Sequence, residues 1–173
     1  MRLKSTILTV LAVCLLINSQ SKPVDISTAG RVAKNFLYVT AQNYTNGISY
    51  ENLTLTDPYT HLMDGNPVFY AFQANPGFVI IAADDAFTPV IGYSFEGYFS
   101  FNDAPEHYKS FIMGYAQQIA YIRETQAEPG PELSAYWTEL SQDGIPELSG
   151  TRERDVAPLL SCKWDQGAPY NIY

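Results

Sequence analysis

Apolar residues recur at every third or fourth position in two stretches of the chain, and this spacing predicts two amphipathic helices. The first helix is predicted over residues 29–42, with Ser27 or Thr28 as its N-cap. The second is predicted over residues 105–123, because a proline suits its start and the Pro- and Gly-containing residues 128–131 stop it. The apolar face of the first helix should pack against a sheet.

Shorter apolar runs bounded by turn residues predict the strands of that sheet. Residues 78–83 form a continuous apolar run rich in β-branched side chains, which is typical of a central strand. Residues 50–56 and 68–73 are predicted to pair as a hairpin, and residues 89–93 and 97–99 are predicted as further extended segments. The predicted fold class is α+β, with four or five antiparallel strands packed by two main helices.

The N-terminal residues have the composition of a secretory signal peptide. Arg2 and Lys4 precede an apolar run over residues 7–17, and the small and polar residues 18–21 suit cleavage. The apolar run is shorter than the roughly 20 residues that cross a membrane. We therefore expect residues 1–21 to be removed on export to the medium, cell surface or periplasm, and no membrane association afterwards.

Charge and cysteine content narrow the possible partners and ligands. The chain has 10 basic and 18 acidic residues, and this net charge of −8 disfavours nucleic acid as a partner. Cys14 lies in the signal segment without the small neighbour that precedes a lipidated cysteine, so Cys162 is the only cysteine expected in the mature chain. His61, expected in a loop, and His107 lack a third clustered ligand. We therefore expect neither a cofactor nor a metal.

The C-terminal residues carry the most specific motif. The string Trp164-Asp165-Gln166-Gly167-Ala168-Pro169-Tyr170-Asn171 resembles the start of the mature catalytic domain of streptopain-like proteases, which have the papain fold. A Gln-Gly pair alone would suggest only a polar turn, but the flanking residues favour the family motif. In that family the residue matching Gln166 donates its side-chain amide to the oxyanion formed during catalysis.

That resemblance implies where the catalytic residues would lie. The catalytic cysteine and histidine of the family come after the Gln-Gly motif, so residues 158–173 would be only the start of a catalytic domain. Cys162 has no nearby histidine and is not expected to be a nucleophile. We therefore expect no peptidase activity from this chain.

Two upstream segments extend the resemblance. Residues 77–84 and 89–94 resemble the pro-segment of the same family and its dedicated secreted inhibitors. The resemblance implies that residues 22–143 form an inhibitory pro-domain that also assists folding of the protease.

A linker with the processing site is predicted over residues 144–157, because this stretch lacks apolar periodicity and is rich in turn residues. The Ser149–Gly150 bond is the first choice for cleavage, because Leu148 supplies the apolar residue that proteases resembling this family favour there.

Three polar residues before the second helix are candidates for the inhibitory contact. Asn102, Asp103 and His107 lie where a rigid helix could present them to the cleft of a partner protease. The alternative is that Asn102 or Asp103 caps the helix and His107 is merely exposed.

The leading hypothesis is the N-terminal part of a secreted cysteine protease zymogen, whose partner is a streptopain-like catalytic domain. Two alternatives are a free-standing secreted inhibitor of such a protease and an unrelated interaction module built on an acidic α+β sheet.

Overall fold

The computed structural model describes residues 20–146 except residues 45–47 and 76 and the side chains of residues 43 and 44. Over this range the fold is α+β, as predicted, with three helices and one antiparallel sheet of four strands. No helix within it is both long and apolar enough to cross a membrane. In chain order the elements are α1 (Ile26–Tyr44), β1 (Leu55–Met63), β2 (Asn66–Ala74), β3 (Phe78–Ala82), β4 (Val90–Ser94), α2 (Glu106–Thr125) and α3 (Pro131–Leu140).

The sheet follows the order of the chain, β1-β2-β3-β4, with every neighbouring pair antiparallel. Asp64 and Gly65 join β1 to β2 with φ values of 50° and 78°, as a two-residue hairpin turn of type I′ requires. β2 and β3 are the two inner strands, and the predicted central position of the run 78–83 is confirmed. The predicted strands at 68–73 and 89–93 are also confirmed, as β2 and β4.

The first strand was predicted in the wrong place. Tyr50 lies in a turn, and β1 begins only at Leu55. A bulge between Thr56 and Tyr59 accommodates the two intervening residues, Asp57 and Pro58, which resemble a loop in the sequence. A proline is tolerated there because β1 is an edge strand and a bulge relaxes its pairing.

The core lies between the sheet and the helices. α1 packs against β3 and β2, which confirms the predicted packing of the first helix on the sheet, while α2 packs against β2 and α3 against α1. α1 buries one face completely, through Ala29, Val32, Ala33, Leu37 and Ala41.

The N-cap of α1 differs from the prediction. Asp25 Oδ1 accepts hydrogen bonds from the backbone N–H groups of Ser27 at 2.9 Å and Thr28 at 3.0 Å. Both hydroxyl groups also donate to the Asp25 carboxylate. These bonds, led by the Ser27 hydroxyl, hold the pKa of Asp25 well below its usual range. Asp25 therefore caps the helix, and Ser27 and Thr28 support the cap.

The third helix was missed by the sequence reasoning. Gly130 is its N-cap and Pro131 is its first residue, which is a favourable position for proline. Trp137 fixes the helix by donating an Nε1 hydrogen bond of 2.7 Å to the carbonyl of Phe87, and Leu140 at its end is 1% exposed. The helix therefore belongs to the core.

A buried polar contact attaches the C-terminal end of α2 to the sheet. Arg123 donates to the carbonyl of Pro67 at 2.9 Å and to that of Ala83 at 3.0 Å. Its Nε lies 3.4 Å from Oδ2 of Asp84, which is fully buried. Burial raises the pKa of Asp84, while the N–H of Ala86 and the Arg123 guanidinium oppose that rise. The contact thus joins the ends of β2 and β3 to α2.

Candidate functional site

The segment between β4 and α2, residues 95–105, combines exposed side chains with a backbone that the fold holds in a defined position; we call it the β4–α2 loop. Residues 97–99 within it were predicted to be extended, but they form no strand. The side chain of Gln73 instead bonds the backbone of Phe99, accepting from its N–H at 3.2 Å and donating to its carbonyl at 2.7 Å. One side chain in β2 thus satisfies backbone groups that would otherwise need a neighbouring strand.

Aromatic packing holds the loop from below. Phe99 is 9% exposed and lies 5.5 Å from the ring of Tyr59. Phe101 lies 4.8 Å from the ring of His61, which in turn stacks on Phe69 at 4.7 Å and an interplanar angle of 3°. These separations are those of favourable aromatic pairs. We call these five residues, Tyr59, His61, Phe69, Phe99 and Phe101, the aromatic anchor.

His61 has a structural role in this anchor. It lies in β1 rather than in the predicted loop, because the bulge continues the strand past Pro58. Its Nδ1 is 3.0 Å from the hydroxyl of Tyr59. Burial lowers the pKa of His61 and raises that of Tyr59, so both side chains favour their uncharged forms. Uncharged rings suit the apolar packing that supports the loop.

The upper side of the loop presents side chains to solvent. Tyr98 is 73% exposed, and Asn102 and Asp103, four and five positions later, are exposed as well. Asp103 is oriented by Ser100, whose Oγ donates to Oδ2 at 2.6 Å. Tyr98 and Asp103 both line a shallow hollow of about 280 Å³. The sequence reasoning missed Tyr98, although an aromatic residue in a polar, glycine-containing loop is a signal that could have identified it.

The predicted contact residues are exposed rather than used as caps. The N-cap of α2 is Pro105, with no side-chain capping bond, so the alternative that Asn102 or Asp103 caps this helix is wrong. The other part of that alternative, the exposure of His107, is confirmed, because His107 is exposed in the first turn of α2. The structure therefore places all three predicted residues at one exposed junction of loop and helix.

Other predicted features lie outside the described residues. These are the signal peptide, the processing bond Ser149–Gly150, the oxyanion donor Gln166 and Cys162. Within the described range no group of three His, Cys, Asp or Glu side chains is arranged to hold a metal ion.

The last described residues contact α1. The guanidinium of Arg31 contacts Asp143 at 2.7 Å, and Nδ2 of Asn35 donates to the carbonyls of Leu140 and Gln142, each at 2.9 Å. The chain thus remains attached to the fold up to the residue where the pro-domain is predicted to end.

Comparisons with known proteins give two matches. A family model described as Spi protease inhibitor matches residues 21–119. The thiol protease/hemagglutinin PrtT of Porphyromonas gingivalis is 32% identical over 155 residues, which cover 88% of this chain. The chain spans only 17% of the length of that relative. No solved structure matches. The aromatic anchor and the β4–α2 loop both fall inside the range of the family match.

Proposed function

Because this chain belongs to the Spi protease inhibitor family, we propose that residues 22–143 are the inhibitory pro-domain of a streptopain-like cysteine protease. In this proposal the chain is exported and has no peptidase activity of its own. Its described residues fold first, assist folding of the catalytic domain and occupy its active-site cleft. The thiol protease named among the relatives supports a cysteine protease as the partner class.

The observation that carries the proposal is the anchored β4–α2 loop. Gln73 fixes the backbone of Phe99, and the rings of Phe99 and Phe101 pack on the sheet. A loop that is ordered before binding loses little conformational entropy on binding, so more of its contact energy appears as affinity. Tyr98 and Asn102 on its outer side offer an exposed aromatic ring and an amide, which are side chains suited to a protein interface.

The charge of this surface indicates what the partner should offer. Glu96, Asp103 and Glu106 are exposed at the loop and the first turn of α2. Lys109 is bound to Glu106 at 3.0 Å and so offsets part of this charge. A complementary cleft would carry positive potential at its rim, which would accelerate association at low salt.

A free-standing inhibitor is the second candidate function. It would use the same loop and would not need the Gln166 motif or a cleavage at Ser149–Gly150. The motif from Trp164 to Asn171 therefore favours the zymogen. Mass spectrometry of fragments released by a related active protease distinguishes the two, because the zymogen should be cut first within residues 144–157.

Inhibition of mature streptopain by the purified chain tests the proposal. Tyr98→Ala should raise the inhibition constant about tenfold or more, which is the usual effect of removing an aromatic hot spot. Asn102→Ala should also weaken inhibition, whereas Asn52→Ala, an amide exposed elsewhere on the surface, should leave it unchanged. If the wild-type chain leaves hydrolysis unchanged at high micromolar concentration, the inhibitor function is refuted.

A further inference from the structure

The outer face of α2 carries an exposed stripe that the core does not use. His107, Phe111, Gly114, Gln118 and Tyr121 are spaced by four, three, four and three residues, so they fall within an arc of about 80° on one face. Phe111 is 58% exposed and Tyr121 is 65% exposed. The buried residues of the same helix, Ile112, Ala116 and Ile119, lie on the other side. Gly114 is half-buried and the other four positions are exposed. We call these five positions the α2 stripe.

The composition of the stripe is unusual for a solvent-exposed surface of this protein. From residue 110 to residue 122 the helix has no charged side chain, although the chain has 28 charged residues in total. Exposed helix faces are normally charged, whereas the centres of protein interfaces are depleted in charge and enriched in aromatic side chains. The α2 stripe therefore has the composition of an interface centre.

Internal packing does not explain why a glycine occupies position 114, at the centre of the stripe. Glycine destabilises a helix interior relative to alanine. A Cβ added at Gly114 would meet nothing within 4 Å, so no neighbouring group in the described residues requires a glycine here. A glycine does allow the surface of another molecule to approach the helix backbone closely.

Phe111 is held in place despite its exposure. Its ring meets that of Tyr115 edge-on at 5.0 Å, and Tyr115 lies 6.0 Å from Phe87 in the same manner. An exposed aromatic ring that is already oriented is suited to enter a pocket of a partner at low entropic cost.

We propose that the α2 stripe is a second contact with the protease that binds the β4–α2 loop, on an uncharged, apolar patch outside its active-site cleft. This inference rests on the proposed function. The stripe begins at His107, two positions after the loop ends at Pro105, and extends about 21 Å along the helix. Only Glu106 separates the loop from the stripe in the chain, so one partner can reach both.

The charge beside the stripe favours this partner over a second copy of the chain. A stripe about 21 Å long on a helix about 10 Å wide offers roughly 200 Å². A stable interface needs about 800 Å² from each partner, so the stripe must be covered together with the adjoining loop and helix start, where Glu96, Asp103 and Glu106 are exposed. A second copy would bring these acidic side chains against its own, whereas a protease with positive potential at its rim would not. Two copies of a chain with a net charge of −8 would also repel each other.

Two matched pairs of variants of the full chain test the proposal in inhibition assays with mature streptopain. Gln118→Arg places a charge in the stripe and should raise the inhibition constant about tenfold or more, while Asn52→Arg adds the same charge elsewhere and should change it less than about twofold. Gly114→Ala should raise the urea midpoint of unfolding and yet weaken inhibition. Gly30→Ala in α1, whose added Cβ would make ordinary contacts, should not alter inhibition.

The outcomes separate this inference from the proposed function. If Tyr98→Ala weakens inhibition but Gln118→Arg behaves like Asn52→Arg, the stripe is not a contact and the inhibitory loop stands. If the wild-type chain neither inhibits nor binds streptopain, both proposals fail. If sedimentation shows a dimer that Gln118→Arg dissociates with inhibition unchanged, the occupant is a second copy and our inference is wrong.

Discussion

Replacing Asn35 by aspartate should detach α3 from α1 and strongly destabilise the protein. Asn35 is fully buried, and its Nδ2 donates to the carbonyls of Leu140 and Gln142. Its Oδ1 accepts a 2.6 Å hydrogen bond from the hydroxyl of Tyr50. Asn35→Asp keeps the shape and the bond to Tyr50, but it puts an acceptor in place of the donor that faces both carbonyls.

The expected loss follows from these contacts. Each buried carbonyl left without a donor costs about 1–3 kcal/mol, and the carbonyl of Gln142 is only partly buried, so water can replace part of its bond. The introduced carboxylate would also be desolvated next to two carbonyl dipoles, which disfavours its charged form. We expect a loss of about 3 kcal/mol in the free energy of unfolding at pH 7, a large part of the roughly 5–15 kcal/mol typical of a domain.

The loss should depend on pH in a defined direction. Burial would raise the pKa of the introduced carboxyl above its unfolded value, so the folded state would bind more protons over that window. The variant should therefore lose stability, relative to wild type at the same pH, as the pH rises from about 4 to 7. A protonated carboxyl donates one hydrogen bond, which restores part of the contact at the acidic end.

Urea unfolding followed by circular dichroism measures this loss, with Asn52→Asp as the control at an exposed position. Tyr50→Phe should cost about 1 kcal/mol alone and more in the Asn35→Asp background, because its hydroxyl would then donate to a carboxylate, which makes a stronger bond than an amide oxygen. If Asn35→Asp loses less than about 1 kcal/mol at pH 7, or the loss has no pH dependence, the hydrogen-bond reasoning is wrong.

Three further predictions concern other parts of the fold. Gly77 has a φ of 83°, and a Cβ added there would overlap the backbone of β4. Gly77→Ala should therefore lower the free energy of unfolding, measured in a thermal melt, by about 2–4 kcal/mol. A loss below about 1 kcal/mol would contradict this prediction. Because burial lowers the pKa of His61, the unfolded state binds more protons as the pH falls through the ordinary value of 6.5, and stability should decrease there. His61→Phe should flatten that part of the stability profile, and an unchanged profile would show that another group causes it. Arg123→Met leaves Asp84 buried without its cation and should lower the free energy of unfolding by about 3–5 kcal/mol at pH 7, measured by urea unfolding. The loss should be smaller at acidic pH, where Asp84 is protonated. Equal losses at both pH values would refute a buried carboxylate.

The sequence predicted those elements whose signal is local. The periodic apolar residues of α1 and α2 and the continuous apolar run of β3 each identify their element without reference to the rest of the chain. Helix α3 was missed because it has ten residues and only two of them, Trp137 and Leu140, are buried, so its period is short and weak. β1 was misplaced because its bulge allows Pro58 inside a strand, which a simple alternating pattern excludes.

The candidate site depended on contacts between distant residues, which a sequence pattern does not show. Asn102, Asp103 and His107 were identified because a polar cluster before a strong helix is visible locally. The hydrogen bonds that support the β4–α2 loop could not be predicted from the sequence. They join the side-chain amide of Gln73 to the backbone of Phe99, which lies 26 residues away. The same holds for Asn35, whose hydrogen bond to Leu140 joins residues 105 positions apart.

The order of the strands in the sheet has a consequence for the rate of folding. Each strand pairs with the strand that follows it in the chain, so the loops that must close are short. The strands can therefore pair one after another, starting from one edge of the sheet. Topologies dominated by such near contacts fold faster than those that pair distant segments. During synthesis, when N-terminal parts fold first, the four strands can complete their pairing before the residues after α3 leave the ribosome. In the proposed zymogen, the loop and the helix face would then be the next to be ordered, in time to receive a catalytic domain that is still unfolded.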